Sequence, residues 1–498
     1  MRLKLLVIIL VALTMATLIT LHLRGINGGW YWQWPWRRLS WRIYPILIAA
    51  STPFFLGQWL YAKRRITVAW ALAFVTAAAV IVQVAAIIPQ PMGLYRIIAV
   101  VQNSINTSYF NVAEVLYKQM HLQGASLRDW LEIYPQLMPM MVLHASYKPP
   151  GWILYYLLMW EIFRQPDVVA MAGGLLVAVL AAAAVPAVYR LARNFELDEK
   201  PAFFAASYFA LTPSLLLFLP QGDQAYPALA CLLLITWANA LHRRAILNSA
   251  LFGLLLAFGL FFSAVFLMLG LFLAIYTMLY VGDHRGRGLI HAIMCALTAL
   301  IAIALPYLLL WLITGFDPIE TFFTSARRSQ AHLVFLKRPW PYHLMFDFYD
   351  LVFGTGFISV PLIAFGTWAT WKTWTPRHRP WRLVFLGLLQ MLVAVLVSLF
   401  PGEQARLMLP LMPLLMIPIG IELARWPAMS RNIAYALLLL MLCITAQNMI
   451  FLYMGRDKEG VPRGFTVTTP ALRSRANPQI PEPPAHVQQG SPSHAPAG

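Results

Sequence analysis

Long apolar stretches separated by short polar breaks dominate the chain and predict its secondary structure. An α-helix needs about 20 apolar residues to cross the roughly 30 Å of hydrocarbon in a bilayer. Thirteen stretches approach that length, near 3–22, 43–62, 66–89, 167–192, 201–219, 224–242, 246–263, 265–281, 290–313, 350–371, 383–400, 407–424 and 432–453. The pattern therefore predicts an all-α, polytopic transmembrane helix bundle with about 13 spans.

The short polar breaks are basic, and they predict an orientation. Cytoplasmic loops of membrane proteins carry an excess of lysine and arginine. If the N-terminus is cytoplasmic, the basic breaks fall on the inner side, at 63–65, 190–200, 243–244, 283–287, 372–382 and 425–431. The loop 24–42 is the exception, because its arginines fall outside, among tryptophans that suggest an interfacial belt in contact with lipid headgroups. We therefore expect a multi-pass protein of the cell membrane.

Composition excludes an ordinary soluble protein. Hydrophobic residues make up 60% of the chain, charged residues only 11%, and the mean hydropathy is +0.67. A soluble domain carries roughly 25% charged residues. The formal net charge of +18 fits basic loops that meet anionic headgroups, so it indicates membrane lipids as partners and no nucleic acid. The three cysteines lie in apolar runs without metal spacing and are interpreted as buried hydrophobic residues.

The chain divides into three regions. The first stretch begins with Arg2 and Lys4 but has no convincing small-residue cleavage site before Arg24, so we interpret it as a retained anchor. The predicted regions are two extra N-terminal helices with a Trp/Arg-rich loop in 1–65, a transmembrane core in 66–453 with outer loops 90–166 and 314–349, and a disordered Pro-rich tail in 454–498.

Acidic residues gather on the predicted outer side, and the middles of the spans are almost free of charge. Transporters tend to place ionisable groups at the bilayer midplane, in broken helices. The outer acids are Glu114, Asp129, Glu132, Asp223, Asp317, Glu320, Asp347, Asp350 and Glu403. This distribution favours chemistry at the outer interface.

The loop 90–166 is too long for a plain connection and too polar to span a membrane. Apolar spacing in 97–122 and 127–143 predicts two amphipathic helices on the membrane surface. Pro149-Pro150 can begin a helix but cannot continue one, so a rigid helix start is expected there. Free backbone N–H groups at that start, with Lys148 beside them, favour a bound phosphate.

This order of motifs resembles the first outer loop of membrane glycosyltransferases of the C-type fold, which include the protein O-mannosyltransferases and the aminoarabinose transferases of lipid A. Lys148-Pro149-Pro150-Gly151 is similar to the family's His-Pro-Pro turn, with lysine in the histidine position. Pro220-Gln-Gly-Asp223 and the segment Pro401 to Arg406 resemble two later outer loops. The resemblance covers about residues 66–425. It implies an inverting transfer of a sugar from a polyprenyl-phosphate donor to an extracytoplasmic glycan, lipid or protein acceptor. No His, Asp or Glu cluster has metal-ligand spacing, so we predict no metal and no cofactor.

The sequence departs from the family pattern at the start of the first outer loop, where most members carry an aspartate. Glu114 is the first carboxylate in this region. The candidate residues that the resemblance implies are Glu114, Asp223 and Glu403 as catalytic carboxylates, and Lys148, Arg406, His144, Arg327, Arg328 and Tyr109 as substrate-binding residues.

Several of these features also have ordinary structural explanations. Glu114 fits a solvated helix face, and Glu403 and Arg406 have the spacing of a local helical pair. Two other functions also stay open at this point. One is a transporter or flippase of lipid-linked sugars, which should show charges at the membrane midplane. The other is an O-antigen-type polymerase or ligase, for which the loop 314–349 is a partial match.

Overall fold

The computed structural model describes residues 1–21, 39–104, 107–141, 144–335, 342–397 and 403–448. Within these ranges the chain is helical and contains no strand, which confirms the all-α prediction. Most of the Trp/Arg-rich loop and the whole Pro-rich tail lie outside the described residues, so the predictions for them stay predictions.

The helices follow the chain in a simple order. They are α1 (Arg2–Thr20), α2 (Ile43–Ala50), α3 (Thr52–Ala62), α4 (Val68–Ala85), α5 (Tyr95–Asn103), α6 (Tyr109–Gln123), α7 (Leu127–Glu132), α8 (Tyr134–Leu137), α9 (Gly151–Phe163), α10 (Pro166–Ala182), α11 (Ala184–Asn194), α12 (Glu199–Ala210), α13 (Pro213–Leu216), α14 (Tyr226–His242), α15 (Ala245–Phe262), α16 (Gly270–Thr314), α17 (Pro318–Phe335), α18 (Tyr342–Thr355), α19 (Ser359–Thr373), α20 (Arg379–Val397), α21 (Gln404–Leu407), α22 (Met412–Ala424) and α23 (Ala428–Asn448).

Nine helical segments of the described chain are long and apolar enough to cross a membrane, or ten if a bent pair counts as one span. The predicted count of 13 is therefore not confirmed. Two of the predicted runs, 265–281 and 290–313, lie in one long segment, Ala264–Thr314. Its helix is interrupted only at Arg285, where φ is 53° and ψ is −141°.

Three other predicted runs are broken or short. In the run 201–219 the helix ends at Ala210, and a separate single turn, α13, begins at Pro213. Proline is disfavoured inside a helix but is tolerated in its first turn. The run 350–371 is broken between α18 and α19, which meet at 85° around Gly356 with φ 84°. The run 407–424 forms only the shorter helix Leu409–Ala424.

The first outer loop is more broken than its apolar spacing predicts. The helix predicted over 97–122 is divided into α5 and α6 by an extended residue, Ser104. The helix predicted over 127–143 becomes α7, α8 and a 3₁₀ turn, Met138–Met140. The predicted helix start after the paired prolines is confirmed, because α9 begins at Gly151.

Close packing of small residues joins the long helices. A Cβ on Gly420 of α22 would overlap α12 at the Pro201 carbonyl, so the two backbones touch there. The first helix belongs to this bundle, because α1 packs against α23 and Lys4 donates a hydrogen bond to the buried carboxylate of Glu422. The segments that precede α9, α14 and α22 contact one another, so the N-terminal ends of these three helices meet at one end of the bundle.

Candidate functional site

Lys148 and Asp223 form a buried ion pair at that end. The Lys148 Nζ donates to Asp223 Oδ1 over 3.0 Å, and the exposed fractions of the two side chains are 13% and 6%. Tyr134 donates its hydroxyl hydrogen to the Lys148 carbonyl over 2.7 Å. The ammonium also lies 5.8 Å from the centre of the Tyr109 ring. Contacts to both its backbone carbonyl and its ammonium group therefore fix the position of Lys148.

Arg406 approaches the same carboxylate from another part of the chain. Its Nε lies 3.7 Å from Asp223 Oδ2, and its Nη1 donates to Gln221 Oε1 over 3.4 Å. Its Nη2 donates to the Glu403 carboxylate. Together with Lys148, these contacts make a cluster of two cations and two carboxylates, which we call the charge cluster.

The turn Gly222–Ala225 places Asp223 in the charge cluster. A side chain on Gly222 would overlap the indole ring of Trp152, so only glycine allows the turn to lie against α9. The Trp152 Nε1 donates to the Tyr226 hydroxyl over 2.7 Å, which ties α9 to the start of α14. The carboxylate is thus carried by a turn packed directly on the helix that follows Lys148.

The single turn α13 holds two segments of the charge cluster together. Ser214 Oγ donates to the Ala405 carbonyl over 2.5 Å, next to Arg406 in the chain. Gln224 Nε2 donates to the Leu215 carbonyl over 2.6 Å, next to Asp223. The break in the predicted run 201–219 therefore has a structural role, because it provides a backbone to which both segments are anchored.

The electrostatics keep both cations charged. Burial alone would lower the pKa of Lys148, but the Asp223 carboxylate outweighs it, and the pKa is raised above the ordinary lysine value. Burial also opposes the charge of Arg406, and the carboxylates of Glu403 and Asp223 outweigh it and raise its pKa. Both positive charges therefore persist in a site from which water is largely excluded.

A cavity of about 820 Å³ lies beside the Lys148 segment. Its walls are mostly apolar and include Pro149, Trp311 and Phe322. The last two are half exposed on the surface of the bundle, so the cavity reaches the lipid-facing side. At its other wall, Ser325 of α17 donates a hydrogen bond to the Tyr147 carbonyl, immediately before the lysine.

Three sequence-predicted residues have their contacts elsewhere. Glu114 accepts from Lys118 over 2.7 Å, one turn along the same helix. Arg327 donates to Glu320 over 2.6 Å, within α17. Arg328 is exposed and lies 3.4 Å from a backbone carbonyl of the first outer loop. The structure does not bring these side chains into contact with the charge cluster.

His144 contacts a neighbour of the charge cluster in the chain. Tyr147, which directly precedes Lys148, is hydrogen bonded through its hydroxyl to His144 Nδ1. Sequence reasoning missed the supporting residues Ser214 and Tyr134, which no motif marks. Gln221 lies in the Pro220-Gln-Gly-Asp223 motif, but the motif did not indicate its contact with Arg406.

Across the described ranges, no group of three or more His, Cys, Asp or Glu side chains could hold a metal ion. The three cysteines are buried and free.

No family model matches the chain, and no curated protein matches it. Among solved structures, the chain is similar to ArnT from Cupriavidus metallidurans bound to undecaprenyl phosphate. The identity is 16% and the TM-score is 0.43. The match covers 66% of this chain and 61% of ArnT, so the chain spans less than two thirds of that protein's length.

Proposed function

We propose that the protein is an inverting membrane glycosyltransferase that moves a sugar from a polyprenyl-phosphate donor to an extracytoplasmic glycan, lipid or protein. The observation that carries the proposal is the convergence of Lys148 and Arg406 on the Asp223 carboxylate, at the end of an apolar helix bundle. Buried cations from distant segments are costly to maintain, which supports a functional reason for them.

The charge balance of the cluster suits a phosphate whose charge grows during the reaction. In a polyprenyl-phosphate sugar the phosphate is a diester with one negative charge. When the bond between the anomeric carbon and the phosphate oxygen breaks, the departing lipid phosphate gains a second negative charge. Lys148 and Arg406 would stabilise this developing charge, and their fixed positions mean that little reorganisation is needed as it forms.

The apolar cavity supports a lipid-linked donor over a water-soluble one. Half-exposed apolar side chains line it, and so does Pro149, the residue after Lys148. A prenyl chain in this cavity would bring its phosphate to the charge cluster. The hydrophobic effect would then supply binding free energy that does not depend on the sugar.

Arrival of the donor would also prepare a base. The Asp223 carboxylate is paired with both cations in the free protein, which makes it a weak proton acceptor. A donor phosphate would compete for these cations and leave the carboxylate less tightly paired, hence more basic. In this proposal Asp223 accepts the proton of the acceptor's hydroxyl or amine nucleophile, and Glu403 orients the Arg406 side chain. Glu114 pairs with its own helix neighbour and is the weaker candidate for this base.

The test is transfer of labelled sugar from a polyprenyl-phosphate donor in membranes reconstituted with the purified protein. Lys148→Ala and Arg406→Ala should each abolish transfer, because each removes a cation from the departing phosphate. Arg327→Ala is the matched control, since this exposed arginine contacts Glu320 instead. Full activity of both cluster variants would overturn the phosphate clamp. Movement of the lipid-linked sugar across the membrane without transfer would favour a flippase.

A further inference from the structure

The backbone of the residue before Arg406 is held on both sides. Ser214 donates to the Ala405 carbonyl, and the Ala405 N–H donates to Asp350 Oδ2 of α18 over 2.6 Å. Asp350 is only 3% exposed. A charged acceptor strengthens such a hydrogen bond. Asp350 thus holds the peptide unit before Ala405 and Ser214 holds the peptide unit after it, which leads directly into the arginine of the charge cluster.

The approach of α18 to this segment is as close as backbone allows. An ideal Cβ on Gly354 would lie 2.9 Å from the Ala405 Cα and would overlap Ser214 Oγ. Real Cβ atoms essentially never come so close without a shift of the neighbour. Gly354 lies one turn beyond Asp350, so the same helix face supplies the carboxylate and the space for the segment it holds.

The bend between α18 and α19 lets the pair hold the Arg406 region at two points. While α18 packs against α21, α19 packs against α22 further along the chain. The second contact is also tight, because a Cβ on Gly366 would overlap the Pro418 carbonyl. The 85° break described above directs the two helices to these two positions.

We infer that Asp350 is a positioning residue, which fixes the Ala405 peptide so that the Arg406 guanidinium meets the lipid phosphate. The inference rests on the proposed function. Asp350 need not touch the substrate, because it acts through the backbone of the neighbouring residue.

Two variants separate the hydrogen bond from the charge. Asp350→Asn keeps an oxygen that can accept from the Ala405 N–H, whereas Asp350→Ala removes it. Thr355→Val is the matched control, because Thr355 is buried on the same helix and its hydroxyl bonds within the α18–α19 pair, to Ser359 Oγ over 2.7 Å and to the Leu351 carbonyl. Binding of undecaprenyl phosphate to the purified full chain in detergent micelles is measured for each variant.

We expect Asp350→Ala to weaken binding by about ten-fold or more, and Asp350→Asn and Thr355→Val to remain within about three-fold of the original protein. A ten-fold change corresponds to about 1.4 kcal/mol, within the range of a typical intramolecular hydrogen bond. Unchanged binding by Asp350→Ala would overturn the inference. An equal loss in Asp350→Asn, or in Thr355→Val, would also overturn it, because charge or general stability would then be the cause.

Hydrogen exchange of the peptide 403–408 provides a readout that does not need the lipid. Asp350→Ala should speed exchange in this peptide at least ten-fold, while Thr355→Val should leave it unchanged. If the original protein binds no undecaprenyl phosphate but exchange responds as expected, the proposed function fails and the positioning contact stands. If binding is normal and exchange in Asp350→Ala is unchanged, the positioning inference fails and the proposed function stands.

Discussion

Removal of the Lys148 ammonium should destabilise the folded protein more than removal of both partners of its ion pair. At 3.0 Å and an effective dielectric constant of about 20, two unit charges attract by roughly 5–6 kcal/mol, and desolvation offsets much of this. Lys148→Met leaves a buried carboxylate with one remaining cation, Arg406, at 3.7 Å. We therefore expect a loss of about 3 kcal/mol, at the lower end of the range for broken buried pairs.

The double variant Lys148→Met, Asp223→Asn removes both charges and should lose only about 1 kcal/mol, so removal of the carboxylate should recover about 2 kcal/mol of the loss caused by Lys148→Met. Unfolding by SDS in mixed micelles, followed by tryptophan fluorescence, measures both losses. Lys118→Met is the control, because it breaks an exposed pair with Glu114 and should cost no more than about 0.5 kcal/mol. A double variant that loses as much stability as Lys148→Met, or more, would refute the assignment of a buried ion pair.

Three further predictions address the same region. Glu114→Gln should leave sugar transfer within about two-fold of the original rate, since its carboxylate contacts its own helix; a ten-fold loss would make Glu114 the base. Gly222→Ala should reduce transfer by about ten-fold or more, because its methyl group would overlap the Trp152 ring; adding Trp152→Phe should restore part of the activity, and no recovery would contradict the steric explanation. Binding of undecaprenyl phosphate should stay constant between roughly pH 7 and pH 10, because the pKa of Lys148 is raised and its positive charge is lost only above the usual lysine value of about 10.4; a decline over that range would show that the ammonium is less well paired.

The apolar pattern predicted the helical class and most spans, because runs of about 20 apolar residues have few other stable conformations in a bilayer. It failed where single residues interrupt a run that is still apolar. Pro213 and Gly356 break predicted spans without adding polarity, and hydropathy is insensitive to both. At Arg285 the pattern did better, because the polar stretch predicted an interruption and two helices meet there at a kink.

For the candidate site, the sequence predicted one side of the membrane but no contacts. Lys148, Asp223, Glu403 and Arg406 were grouped because they lie in three motifs that resemble those of one family, all on the same predicted side, and the structure joins them through ion pairs. Only Glu403 and Arg406 are close enough in the chain for helical spacing to predict their contact. Asp350 lacked a motif altogether, since its partner is a backbone amide far away in the sequence.

The ion pair between Lys4 and Glu422 has a consequence for how the protein is made. Its two residues are 418 positions apart, and a ribosome adds roughly 5–20 residues per second. About 20 to 80 s therefore pass between the synthesis of the first helix and the synthesis of its partner carboxylate. During that interval the nascent chain must keep the first helix within reach in the plane of the membrane, so assembly of the bundle finishes only as its last helices are inserted.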